Sequence, residues 1–154
     1  MKIQQAQTEA EIEMIRTLFR EYVAFLNVDL CFQGFEEELA ELPGKYAPPE
    51  GAILLGLIDD EAVGCVALRK INEGVCEMKR LYVKPKARGT GLGRKLVDDI
   101  IAIAREHGYV LMRLDTLDTL TDAMNLYQRL GFRQIAPYYE NPLPGAIYWE
   151  LTLS

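Results

Sequence analysis

The chain has 154 residues, 49% hydrophobic and 26% charged, with 17 basic against 23 acidic side chains and a net charge of −6. That length suits one domain spanning residues 1–154 around a single core, and so ordinary a composition excludes collagen-like and disordered classes. The longest apolar stretch, Ala52 to Ile58, is far short of the roughly 20 residues that span a bilayer, Glu9, Glu11 and Glu13 replace the basic and apolar regions of a signal peptide, and the acidic balance disfavours nucleic acid, so the expected protein is cytoplasmic with neither membrane nor nucleic-acid partner.

Met1 to Gln5 reads as a short strand. Thr8 and Glu11 form a capping box, in which each side chain satisfies the other's free backbone donor, opening a helix whose apolar positions Ile12, Ile15, Phe19, Tyr22 and Leu26 recur at helical spacing. A second short helix covers Phe35 to Leu42, and the cluster Pro43, Gly44, Pro48, Pro49 and Gly51 ends helical structure. Ala52 to Ile58, Ala62 to Arg69 and Val75 to Val83 follow, separated by Asp59-Asp60 and Asn72-Glu73-Gly74, as a meander of three antiparallel strands. Leu92, Leu96, Val97, Ile100, Ile101 and Ala104 then mark an amphipathic helix ending at His107-Gly108. A strand over Tyr109 to Leu114 makes a strand, helix, strand unit and so a parallel neighbour. A helix from Thr121 to Leu130 and strands Phe132 to Ala136 and Ala146 to Thr152 complete a mixed α/β sheet.

Cys31, Cys65 and Cys76 are odd in number and lack metal-type spacing, which suits small core residues. His107 is the one histidine and sits at a helix end, so zinc sites and Ser/His/Asp triads fall away and no metal is expected. Asp115 and Asp118 read as loop and capping residues. Charge is unevenly spread. Lys79 to Val97 holds seven basic residues and no acidic one, leaving ten basic and 23 acidic elsewhere. Inside that window Arg88-Gly89-Thr90-Gly91-Leu92-Gly93 joins a strand to a helix, where free N–H groups and the helix dipole attract a diphosphate. The spacing fits neither a Rossmann fingerprint nor a P-loop.

Glu77-Met78-Lys79-Arg80-Leu81-Tyr82-Val83 followed by Arg88-x-x-Gly91-x-Gly93 resembles the acetyl-CoA-binding motif of the GNAT N-acetyltransferases, and Ala123-x-x-Leu126-Tyr127-x-x-x-Gly131-Phe132 resembles their next helix and strand. The resemblance implies a GNAT-like α/β fold: antiparallel N-terminal strands, then a splayed parallel pair, flanked by helices. Acetyl-CoA is the implied cosubstrate. Its pantetheine arm would add to the strand edge at Leu81, Tyr82 and Val83, with Leu81 N–H on the thioester carbonyl. The N–H groups of Gly89, Thr90, Gly91, Leu92, Gly93 and Arg94 would hold the pyrophosphate next to Arg88, and Lys84, Lys86 and Lys95 would reach the 3′-phosphate.

Acyl transfer to an amine of pKa ~10.4 needs a base, because only about one molecule in 2,500 is neutral at pH 7. The resemblance puts that base at Glu77. Strand alternation sets Glu77, Lys79, Leu81 and Val83 on one face, about 13 Å from Glu77 to Leu81, so a water relay is expected. Tyr127 matches the residue that protonates the departing thiolate. At Leu120 many members carry Asn, for which Asp118, Thr119 or Thr121 would have to substitute. Specificity is expected from the first helix, the Cys31 to Phe35 turn and a semi-rigid segment from Ala136 to Gly145 holding Tyr138, Tyr139 and Glu140. The expected acceptor is a small amine or amino acid. A noncatalytic acyl-CoA sensor or interaction module is the alternative, and dimerisation through terminal strands fits either.

Overall fold

The computed structural model describes residues 1–30 and 33–154. Of the expectations above, Cys31 and the first half of the Cys31 to Phe35 turn lie outside the described residues. The elements are β1 (Lys2–Gln5), α1 (Glu9–Leu26), α2 (Phe35–Glu41), β2 (Ala52–Ile58), β3 (Glu61–Asn72), β4 (Val75–Val83), α3 (Leu92–Glu106), β5 (Leu111–Leu117), α4 (Thr121–Arg129), β6 (Arg133–Ile135) and β7 (Ala146–Thr152). They form one seven-stranded sheet in the order β1-β2-β3-β4-β5-β7-β6, antiparallel except for the β4–β5 pair. No described helix is long and apolar enough to cross a membrane.

The capping box forms as the sequence requires: Thr8 accepts from Glu11 N–H, and the Glu11 carboxylate accepts from Thr8 N–H. Asp59 and Asp60 both take positive φ, the conformation of a tight hairpin turn between β2 and β3. Each face of the sheet buries its own apolar layer. Leu92, Leu96, Val97 and Ile100 of α3 pack with Leu54, Val66, Leu68 and Met78 on one side, while Ile15, Phe19, Leu39 and Tyr46 pack with Leu55, Cys65, Ala67 and Tyr82 on the other.

The expected strand at Tyr109 to Leu114 is displaced to Leu111–Leu117. Tyr109 N–H is spent on Ala104 O, closing α3, and β7 then pairs with β5 along all seven of its residues. Tertiary pairing thus decides where this strand begins and ends.

A second correction bears on function. Between the pairs Cys65↔Tyr82 and Ala67↔Lys79, β4 carries one residue more than β3, a β-bulge at which Arg80 has φ +61°. The bulge inverts the alternation beyond it. Glu77 and Lys79 face α1 and α2, but Leu81 and Val83 face α3, so these four do not share a face. A left-handed arginine is uncommon and needs support. Arg80 receives it from Glu38 of α2, which accepts from Nε and Nη2 at 3.0 Å each with both side chains only 3% exposed, and from the Phe35 ring beneath its guanidinium. Glu38→Gln strands this buried cation, and a loss of about 3 kcal/mol is expected in urea unfolding.

Candidate active site

β4 and β5 pair only at Val75↔Leu111, Cys76↔Met112 and Glu77↔Arg113. Beyond Glu77 they part, so β4 from Met78 to Val83 has no partner on that side, while β5 stays bound to β7. The resulting wedge is lined by Met78, Lys79, Arg80 and Leu81 on one wall and by Leu114, Asp115, Thr116 and Leu117 on the other, with Leu120, Ala123 and Tyr127 of the α4 region behind. Lys84 N–H bonds back to Val63 O on β3, so by strand alternation the N–H and C=O of Leu81 and Val83 point into the wedge. Val83 O is partly taken, accepting from Arg88 Nε at 3.1 Å. An unpaired strand edge is a template for an extended ligand.

At the wide end of the wedge stands the start of α3. Gly89 and Gly91 have φ +79° and +88°, a conformation that disfavours any side chain, and open space lies above both. Thr90 pins the loop by donating to Ala87 O and accepting from Leu92 N–H. The N–H groups of Gly89, Thr90, Gly91, Gly93 and Arg94 have no acceptor among the described residues. Five amides and the positive end of a helix therefore meet solvent together, which suits a diphosphate. Arg88 lies over the Phe25 ring at 4.5 Å, tying the loop to α1. The basic window is not bare, since Lys84 pairs with Glu21, Lys86 with Glu61, Arg94 with Asp98 and Lys95 with Asp99. Exposed pairs of this kind are worth little, so a phosphate displaces such carboxylates at small cost.

On the α1 and α2 face the mouth of the wedge is polar. Glu77, 1% exposed, accepts from Arg69 Nε on Oε1 at 2.7 Å and from the Tyr138 hydroxyl on Oε2 at 2.6 Å, with Lys79 Nζ 3.8 Å from Oε1. Burial pushes its pKa up, but Lys79, Arg69 and Tyr138 outweigh burial and hold the carboxyl below the ordinary range. Both oxygens are thus engaged. Asp115 contrasts with it: Oδ2 accepts from the Tyr139 hydroxyl and from Asn141 Nδ2, whereas Oδ1 has no donor among the described residues, and the residue lines the wedge. Asp115 belongs to β5, opposite Tyr148 of β7, so the loop role expected for it is corrected. Tyr127 is buried against Phe132 and Trp149, and burial raises its pKa; it lines the wedge and its hydroxyl bonds to no described residue.

The sequence pattern of the Acetyltransferase (GNAT) family matches residues 12–132. The chain belongs to the GNAT family. An uncharacterized N-acetyltransferase of Schizosaccharomyces pombe is 43% identical over 146 residues, 94% of this chain and 90% of that one. A Klebsiella pneumoniae structure assigned as an acyl-CoA N-acyltransferase superposes with a TM-score of 0.78 at 29% identity, covering 99% of this chain and 97% of that chain. A GNAT acetyltransferase from Elizabethkingia anophelis, solved with acetyl-CoA bound, gives a TM-score of 0.58 at 25% identity over 72% of this chain and 81% of that one. The chain is accordingly an acetyl-CoA-dependent N-acetyltransferase, and the open β4 edge together with the five free amides at the start of α3 fits that cosubstrate.

Within this GNAT site the helix position of the family's Asn is apolar. Leu120 lines the wedge, and Asp118 instead meets the backbone of Gly145, its N–H donating to Gly145 O. Burial also pushes the Cys65 and Cys76 thiols up, leaving neither as a ready nucleophile. No group of described residues is arranged to hold a metal. Two wedge residues escaped the sequence reading. Asp115 was legible, because Met112, Leu114 and Thr116 alternate with Arg113 and Asp115. Lys79 was not, because nothing local distinguishes a buried lysine from the basic run around it.

Proposed function

We propose that this GNAT enzyme acetylates the primary amine of a small molecule or amino acid by direct attack of the amine on the thioester. The observation that carries this reading is the three-pair limit on β4–β5 contact, which leaves Leu81 N–H facing a wedge that Asp115 also lines. Acetyl-CoA supplies the acyl group already activated as a thioester. The free main-chain amides of Gly89, Thr90, Gly91, Gly93 and Arg94 bind its diphosphate, that of Leu92, expected above to join them, being already given to Thr90, and the β4 edge at Leu81, Tyr82 and Val83 takes the pantetheine arm. Leu81 N–H holds the thioester carbonyl oxygen, where charge grows during attack. Asp115 Oδ1 takes the proton that the amine loses, and the Tyr127 hydroxyl protonates the departing thiolate. Glu77, expected above as the base, is better suited to anchoring Arg69, Lys79 and Tyr138, since a carboxylate held by two cations is a poor proton acceptor.

Thiol release from acetyl-CoA across a panel of amines tests the reading. Turnover of one or more amines supports it, and silence with every amine despite acetyl-CoA binding would favour a noncatalytic acyl-CoA sensor. Tyr127→Phe is expected to lower kcat by only about tenfold, because a thiolate of pKa near ~8.5 leaves with modest assistance. The loss should be in kcat, measured at saturating acceptor.

A further inference from the structure

Lys79 is the feature of the wedge that the transfer chemistry above does not use. Its side chain is 7% exposed, yet its ammonium has no carboxylate of its own: Glu77 Oε1 is 3.8 Å away and already bonded to Arg69. One of its three donors goes to Gln33 Oε1 at 3.1 Å. The other two have no acceptor within hydrogen-bond reach among the described residues, and Lys79 lines the wedge. A buried, half-satisfied cation is costly unless something completes its shell.

The charges around it point to what that is. Lys45, Arg69, Lys79 and Arg80 converge on Glu38, Glu77 and Asp115, four cations against three carboxylates. Continuing the β4–β5 register from Glu77↔Arg113, Lys79 stands across the mouth of the wedge from Asp115. An ammonium on one lip and a carboxylate with a free oxygen on the other complement a molecule carrying both opposite charges close together. Burial lowers the Lys79 pKa to about 8 against the attraction of Glu77, so the group is still mostly charged at neutral pH.

Building on the acetyl-transfer reading, we infer that the acceptor is a free amino acid, its carboxylate bound by Lys79 Nζ and its amine directed to Asp115 Oδ1. Gln33 holds the lysine in place, and is itself held by its amide donating to the Tyr139 hydroxyl at 3.2 Å. The unmatched positive charge also favours the neutral amine, since deprotonation leaves the bound amino acid with one net negative charge. A simple alkylamine gains neither effect.

The test is calorimetric titration of the CoA-loaded protein, which cannot turn over, with L-amino acids, their carboxamides and their decarboxylated amines. At least one amino acid is expected to bind about 50-fold tighter than its own carboxamide, the range of a charged hydrogen bond. Lys79→Met should reduce that ratio to about threefold or less, and Lys79→Arg, which keeps the charge, should preserve most of it. The preference should also fade above about pH 8, where Lys79 loses its proton. The inference is overturned if no amino acid is preferred over its carboxamide, or if the preference survives Lys79→Met. Thiol release with acetyl-CoA over the same panel separates the two readings. Discrimination in binding without turnover would sink acetyl transfer and keep the carboxylate site, whereas turnover of amines without discrimination would do the reverse.

Discussion

Asp115→Asn is expected to lower kcat by about 10²- to 10⁴-fold, the usual contribution of a positioned general base, with acetyl-CoA affinity nearly unchanged. The substitution is isosteric and keeps an oxygen for the Tyr139 and Asn141 donors, so the segment between β6 and β7 stays closed over the site. What it removes is the capacity to accept a proton at the oxygen that has no donor. A control sharpens the result. Glu77→Gln should destabilise the fold and weaken the acceptor, because it releases Arg69, Lys79 and Tyr138 together, but the kcat that remains should keep its native pH dependence. If instead Asp115→Asn retains native kcat and Glu77→Gln abolishes it, Glu77 is the proton acceptor, working through Tyr138 or a water.

Gly91→Asp is expected to raise the acetyl-CoA dissociation constant by about 10³-fold while the protein stays folded, read by calorimetry beside a thermal melt. Gly91 is the N-cap of α3 at φ +88° with nothing above it. Asp is among the residues that best tolerate positive φ, so the helix accepts it at the cost of some backbone strain. Its carboxylate, however, would compete for the free amides of the loop and place a negative charge where the diphosphate must lie. Each of these effects costs a few kcal/mol or less, and together they decide against the anion. Gly91→Ala is the informative partner. It imposes backbone strain without charge and should cost affinity by only about tenfold. Equal losses in the two variants would mean that the loop conformation, not its electrostatics, sets acetyl-CoA affinity.

The elements were largely legible in the residues. Helical spacing from Ile12 to Leu26 and from Leu92 to Ala104, the Thr8–Glu11 cap, and the turn residues at Asp59-Asp60 and Gly74 are local signals, and local signals survive folding because they act through neighbouring backbone groups. The glycine loop was legible for the same reason, since positive φ at Gly89 and Gly91 is a property of the residues themselves. The motif around Tyr127 likewise carried the family, and with it the expectation that two strands part. Alternation along β4 misled, because nothing in Lys79-Arg80-Leu81 announces a bulge; the left-handed Arg80 exists only because Glu38, 42 residues away, waits to bind its guanidinium.

Charge pairing at the wedge, finally, belonged to the tertiary structure alone. The sequence by itself determined that a helix start rich in free amides follows a strand, and so that an anion can be bound there. It could not say that Glu77 spends both oxygens on distant partners, that Asp115 keeps one free, or that Lys79 is buried without a carboxylate of its own. Such distinctions depend on which side chains from α2, β3 and the β6–β7 segment arrive at the same place. Solvation is lost there and ionic partners are chosen only when the chain has closed on itself.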